Sequence, residues 1–181
     1  MDHARYIRAV DPRRPDWRPR AWTPRGGGRL TFHRSLHVSY TDRNAVLNID
    51  EREMAEALDR AGEGWWGRNF SAASQNGYGI PLPIAVGASN TFYPDFLWWI
   101  DGACWAIETS GQFILEPKVH GKLVGLDQPR VALVVRGEVS ADWRRTEGLT
   151  GWTLVRRSNV GMPRPETFPS LDVLLGVLRR D

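Results

Sequence analysis

Cysteine and lysine are the two scarce residues of this sequence. Cys104 is the single cysteine, and Lys118 and Lys122 are the only lysines among 24 basic side chains. One cysteine excludes a disulfide within the chain and a zinc site built on cysteines, and it favours a reducing, cytoplasmic location. No apolar run approaches the roughly 18 residues that cross a bilayer, and the N-terminus has no signal-peptide core, so we expect no membrane partner.

Tryptophan and arginine, by contrast, are abundant. Nine tryptophans and a hydrophobic fraction of 41% favour one packed domain. Residues 1–28 are different, because they hold many Arg and Pro residues without an apolar period. We therefore predict a basic Arg/Pro-rich arm over 1–28 and a folded domain over 29–181. The arm suits a nucleic-acid backbone or a protein partner, and a solvated leader is the alternative. The net charge of +3 agrees with a polyanionic partner but is weak evidence alone.

The segment 90–111 is the most informative stretch. It contains two apolar runs separated by Asp101-Gly102, a pair typical of a two-residue type I′ hairpin turn. The register that this turn sets places Asp95 opposite Glu108. Two carboxylates on one face of a sheet repel each other, and a divalent cation would offset that repulsion. The alternative is that both acids end their strands in solvent.

Helical periodicity predicts a helix that begins at Asp50, with Glu53 completing a capping box. Its apolar stripe follows the i, i+3, i+4, i+7 pattern and comprises Met54, Ala57, Leu58 and Ala61. At 100° per residue, Glu51 lies on the rim of this stripe and Glu56 points away from it. Glu51 is therefore the acid of this helix that can reach a site beside the core.

The remaining elements predict an α/β fold. Residues 65–69 read as a short strand or corner, 130–136 (RVALVVR) as a buried strand, and 151–157 as another strand. A helix from Pro117 to about Leu126 would connect the hairpin to 130–136 as a parallel crossover. A second amphipathic helix over 169–179 closes the chain. This order predicts a mixed sheet flanked by helices.

These features carry a resemblance to a known family. The similarity covers about 48–126 and includes Asn48-x-x-Glu51, Leu58-Asp59, Trp66-x-Arg68-Asn69, Tyr93-Pro94-Asp95-Phe96 and Glu108-Thr109-Ser110-Gly111. The chain resembles the PD-(D/E)xK nuclease superfamily, in particular the C-terminal endonuclease domain of type III restriction-type helicase subunits. The resemblance implies a restriction-endonuclease-like core. It also implies a Mg²⁺ or Mn²⁺ site whose ligands are Asp95, Glu108, the Thr109 carbonyl and Glu51.

One position departs from that family's pattern, because Ser110 stands where the motif has lysine. Lys118 and Lys122 share one face of the predicted crossover helix, and we expect one of them to replace the missing lysine by polarising a water. The predicted catalytic set is thus Asp95, Glu108, Lys118 and Lys122. Contacts to nucleic acid are assigned to Arg68, Asn69 and Ser110, although structural hydrogen bonding is the favoured role of Arg68 and Asn69.

The resemblance implies a metal-dependent nuclease that acts on DNA in restriction, defence or DNA processing, with a helicase or other protein subunit as a further partner. The alternative is a catalytically degenerate relative that binds nucleic acid or docks onto a partner. Loss of the motif lysine at Ser110 is the observation that keeps this alternative open.

Overall fold

The structure is a computed structural model. It describes residues 47–69, 91–109, 130–140, 142–143, 150–156 and 163–181, together with the backbone alone of 21–22, 30–31, 80–86 and 89–90. Ser110, Lys118, Lys122 and the predicted crossover helix lie outside the described residues, as does most of the predicted arm over 1–28. No helix in the described part of the chain is long and apolar enough to span a membrane.

The elements are, in chain order, β1 (Ala21–Trp22), β2 (Leu30–Thr31), α1 (Ile49–Arg60), β3 (Trp65–Arg68), β4 (Ile80–Val86), β5 (Ser89–Phe92), β6 (Phe96–Ile100), β7 (Ala103–Thr109), β8 (Arg130–Arg136), β9 (Trp152–Arg156), β10 (Arg164–Phe168) and α2 (Leu171–Arg180). Six strands form one sheet in the order β10-β9-β8-β7-β6-β3, and the pairs β1-β2 and β4-β5 stand apart from it. Among the described strands, the β7–β8 pair is parallel and the other pairs are antiparallel. The predicted mixed α/β architecture is confirmed at this level.

The β6–β7 hairpin forms as the turn chemistry predicts. Asp101 and Gly102 both have positive φ, 49° and 79°, as a type I′ turn requires. The ladder runs from Ile100 opposite Ala103 to Phe96 opposite Ile107. The first apolar run of the segment is nevertheless divided, because β5 ends at Phe92 and pairs with β4 instead.

The buried segment RVALVVR forms β8, which lies parallel to β7 as predicted. In this register Glu108 pairs with Leu133, and Thr109 pairs with Val134. Paired residues in neighbouring strands share a face of the sheet. The Cβ atoms of Glu108 and Thr109 therefore point to opposite faces of the sheet.

The start of α1 corrects the sequence prediction. The N-cap is Asn48 rather than Asp50, and the capping box joins Asn48 to Glu51 rather than to Glu53. Asn is as good an N-cap as Asp, so the pattern Asn48-x-x-Glu51 could win over the alternative two residues later. The predicted apolar stripe is buried at Met54, Ala57 and Leu58, whereas Ala61 is the exposed C-cap.

Both helices pack on one face of the six-stranded sheet, which we call the helix side. Its core combines the apolar residues of α1 with the predicted leucines of α2 and with sheet residues including Trp66, Phe96, Trp98, Trp105, Ile107 and Val134. The opposite face, the second side, buries a smaller cluster that includes Phe92, Leu97, Ala106, Val131, Leu133 and Val155. Cys104, a free thiol, packs against this second cluster, and burial raises its pKa to about 12.

The edge strand β10 was not predicted from the sequence. Its residues, Arg-Pro-Glu-Thr-Phe, are partly or fully exposed and pair only with β9 in the described sheet. An edge strand with Pro165 in it has neither the apolar alternation nor the residue preferences of an inner strand. Pairing with β9, which local sequence does not encode, gives this segment its extended form.

Gly64, between α1 and β3, allows the backbone to pass close to β6. It has a φ of 69°, and a Cβ added there would lie 2.3 Å from the Trp99 carbonyl oxygen. Gly62 has the same φ of 69°, but an added Cβ would meet only the Arg60 carbonyl, at 3.6 Å. The two glycines therefore differ in steric surroundings and share the same backbone requirement.

We predict that Gly64→Ala destabilises the fold by about 2–4 kcal/mol, because it combines an unfavourable backbone with a clash, whereas Gly62→Ala costs about 1–2 kcal/mol from the backbone alone. Urea unfolding followed by tryptophan fluorescence measures both values. Equal losses for the two variants would contradict the close approach of Gly64 to β6.

Candidate carboxylate site

Two carboxylates, Glu51 and Asp95, are brought together on the helix side of the sheet, and we call them the acid pair. Glu51 lies in the first turn of α1, and Asp95 lies in the bend just before β6. Arg68 ends β3 opposite Phe96, the first residue of β6. The N-terminus of α1 and the adjacent ends of β3, β6 and β7 therefore meet at one place.

The Glu51 carboxylate is almost fully buried, with 7% of the residue exposed. Its Oε2 accepts a hydrogen bond of 2.9 Å from the backbone N–H of Asn48, which is the capping-box contact. Its Oε1 accepts a hydrogen bond of 2.7 Å from Nη2 of Arg68. The helix cap thus fixes one oxygen, and an ion pair fixes the other.

The Asp95 carboxylate is held by Thr109 at the end of β7. Its Oδ2 accepts hydrogen bonds from the Thr109 backbone N–H at 2.8 Å and from the Thr109 Oγ1 hydroxyl at 2.7 Å. Its Oδ1 lies 3.3 Å from Nη1 of Arg68. Every oxygen of the acid pair therefore has a hydrogen-bond or ion-pair partner within the protein.

Arg68 is anchored as well as charged. Its Nη1 donates to the backbone carbonyls of Asn69 and Asp95, both at 2.8 Å. Its guanidinium lies over the Phe96 ring, 5.4 Å from the centroid. Asn69, 2% exposed, donates its backbone N–H to the Asp95 carbonyl at 2.7 Å. In this structure both residues orient the acid pair, and their predicted contacts to nucleic acid stay a prediction.

The electrostatic surroundings of the acid pair raise the pKa of Glu51. Burial raises the pKa of the Glu51 carboxyl above its ordinary value, and the neighbouring Asp95 carboxylate raises it further. The Arg68 guanidinium and the Asn48 N–H lower the same pKa without cancelling the increase. Two carboxylates with one guanidinium carry a formal charge of −1, so an additional positive charge would relieve the remaining repulsion.

Glu108 is also buried, with 6% of the residue exposed, but its backbone position faces the second side of the sheet. Its pairing with Leu133 directs its Cβ to the second side, whereas Thr109, Arg68 and the carboxylate of Asp95 lie on the helix side. The expectation that Asp95 and Glu108 share a face is therefore corrected. Asp95 precedes the first ladder pair of β6, so the alternation of the strand does not fix its side chain.

The choice of Glu51 over Glu56 agrees with the structure. Glu51 belongs to the acid pair, whereas Glu56 forms an exposed i, i+4 ion pair with Arg52. The role of the Thr109 hydroxyl was not predicted, because the sequence analysis assigned only the Thr109 carbonyl to the site. The sequence did contain a signal for this role, because a hydroxyl residue, Thr109, directly follows Glu108 at the end of the second hairpin strand.

The donor types of this site fit a divalent cation, since Mg²⁺ and Mn²⁺ favour carboxylate oxygens. The number of donors is smaller than expected, because no group of three or more His, Cys, Asp or Glu side chains converges among the described residues. Glu51 and Asp95 are the residues placed to hold such an ion. Arg68 is the cation that they bind in this structure.

Comparisons with known proteins give no match for this chain, whether with protein-family models, with curated proteins or with solved structures. The geometry of the site and the motifs of the sequence are therefore the basis for assigning a function.

We predict that Thr109→Val destabilises the protein by about 1–2 kcal/mol, because it removes a charge-assisted hydrogen bond from the half-buried Asp95 carboxylate while keeping the side-chain shape. Thr109→Ser keeps the hydroxyl and should retain most of that stability. Urea unfolding measures both variants, and a double-mutant cycle with Asp95→Asn isolates the interaction. A coupling free energy near zero would show that the contact is unimportant.

Proposed function

We propose that this chain is a metal-dependent phosphodiesterase, a nuclease that acts on DNA. The observation that carries the proposal is the convergence of Glu51 and Asp95 beside Thr109, at the start of β6 and the end of β7. These are three of the four residues that the resemblance to PD-(D/E)xK nucleases assigns to the metal. Their convergence supports a restriction-endonuclease-like core as the finer description of the α/β fold.

A divalent ion, when bound, would lower the pKa of a water molecule and stabilise charge on the scissile phosphodiester. The residues of the chain have separate tasks around it. Glu51 and Asp95 supply hard oxygen ligands, and Thr109 and Asn48 hold those carboxylates in fixed orientations. Preorganisation of this kind avoids a reorganisation cost during the reaction.

The remaining parts of the proposed site come from the sequence. Glu108, which the resemblance also assigns to the metal, pairs with Leu133 on the second side of the sheet, so the proposed carboxylate ligands are Glu51 and Asp95. Lys118 or Lys122 would orient the attacking water in place of the lysine that Ser110 has replaced. The arginine-rich composition would bind phosphates with an affinity that falls as salt increases.

A second candidate function is a non-cleaving relative that binds nucleic acid or a helicase-like protein partner. Two observations favour it: Ser110 replaces the motif lysine, and Arg68 binds the oxygens that a metal would take. A cleavage assay distinguishes the two candidates, because only the first requires catalysis by the acid pair.

We predict that the wild-type chain cleaves DNA in the presence of Mg²⁺ or Mn²⁺, and that Glu51→Gln and Asp95→Asn each reduce the rate on the order of a hundredfold or more. The matched controls are Glu56→Gln, on the same helix, and Asp172→Asn, in an exposed ion pair with Arg60. Plasmid and single-stranded substrates with an EDTA control provide the measurement. Wild-type and Asp95→Asn proteins that behave alike would exclude catalysis by this site.

The lysine replacement makes a separate prediction. If an ammonium group polarises the water, then Lys118→Arg or Lys122→Arg should lower the cleavage rate by about 10²–10⁴-fold, because guanidinium keeps the charge and cannot be deprotonated. Circular dichroism checks that both variants fold. Full activity in both variants would reject the lysine replacement, even where the acids remain essential.

A further inference from the structure

We infer that Arg68 is the built-in counter-cation of the acid pair, and that it competes with a divalent ion for the oxygens of Glu51 and Asp95. The inference deepens the proposed function and depends on it for the identity of the competing ion. It assigns to Arg68 the control of how strongly the site binds metal.

The contacts place the guanidinium between the two acids. Nη2 lies 2.7 Å from Oε1 of Glu51, and Nη1 lies 3.3 Å from Oδ1 of Asp95. A divalent ion that bridges the acid pair needs oxygens of both residues. The remaining oxygens, Oε2 of Glu51 and Oδ2 of Asp95, already accept from Asn48 and Thr109. Because Oδ2 of Asp95 accepts two hydrogen bonds from Thr109, an ion on Asp95 needs Oδ1, the oxygen that faces Arg68. On Glu51 the ion would compete with Arg68 for Oε1.

Arg68 cannot leave this place without further losses. Its Nη1 also donates to the carbonyls of Asn69 and Asp95, and its guanidinium lies over the Phe96 ring. Its side chain is 17% exposed, so the charge is poorly screened by water. A bound ion would have to displace the guanidinium from these oxygens and would still lie close to its positive charge, and both effects lower the affinity for the ion.

Removal of this charge should therefore increase metal binding. Arg68→Gln replaces the guanidinium by a shorter neutral amide and leaves the two carboxylates without a cation. We expect the full-length variant to bind Mg²⁺ and Mn²⁺ about tenfold more tightly than the wild type, since one nearby like charge has been removed. Isothermal titration calorimetry measures the affinities for the metal alone, without DNA.

Two further variants separate charge from position. Arg52→Gln removes an exposed arginine next to Glu51 in the sequence and should leave the affinity unchanged. Arg68→Lys keeps the charge and loses the forked geometry, so its affinity should stay near that of the wild type. Adding Asp95→Asn to Arg68→Gln should remove the gain, because one of the two ligands is then neutral.

Stability gives a second measurement. Arg68→Gln should unfold at lower urea than the wild type without metal, and excess Mg²⁺ should restore more stability to this variant than to the wild type. If the variant folds only with Mg²⁺, the inference is supported. A variant that remains unfolded in excess Mg²⁺, or a folded one that binds the ion no more tightly than the wild type, would overturn it.

The outcomes distinguish this inference from the proposed function. Tighter binding in Arg68→Gln, without cleavage by any variant, would retain the counter-cation and reject the nuclease. Cleavage by the wild type with no gain in Arg68→Gln would retain the nuclease and make Arg68 a positioning residue for its acids.

Discussion

The ion pair of Arg68 with the buried Glu51 and the half-buried Asp95 is the interaction on which the arrangement of the site depends. Burying a carboxylate costs free energy unless it is paired and hydrogen-bonded, and placing a second carboxylate next to it increases that cost. Here Glu51 comes from α1, Asp95 precedes β6, and Arg68 ends β3. Loss of the Arg68 charge would leave two neighbouring carboxylates uncompensated. The three elements are therefore held together by electrostatics as well as by their shared core.

The β6–β7 hairpin explains why the acid pair is Glu51 with Asp95 rather than Asp95 with Glu108. Within the ladder, alternation is strict, and Glu108 follows it by pairing with Leu133 on the second side. Asp95 lies one residue before the first paired position, so its carboxylate can turn toward the Thr109 N–H and hydroxyl. Those donors and Arg68 are on the helix side, where Glu51 completes the pair.

Local chemistry made several features of this fold predictable. Three sequence patterns are each compatible with few alternative structures: the Asp101-Gly102 turn, the apolar run RVALVVR and the leucine spacing of α2. The helix start was harder, since Asn48 and Asp50 are competing caps only two residues apart. The edge strand β10 and the side-chain direction of Asp95 depend on tertiary neighbours, which the local sequence does not contain. Hence Glu51, Asp95 and Thr109 could be expected at one site in advance, but the separation of Glu108 from Asp95 could not.

The central claim is that the acid pair is a cation-binding site. The Arg68 guanidinium binds there until a divalent ion takes over its contacts with Glu51 and Asp95. Diffraction from crystals of the full chain soaked in Mn²⁺ tests this claim most directly, because anomalous scattering locates the ion. We predict a peak about 2.0–2.3 Å from oxygens of both Glu51 and Asp95, with the Arg68 guanidinium displaced from them. An undisturbed Arg68 with no anomalous peak at the acid pair would contradict the account.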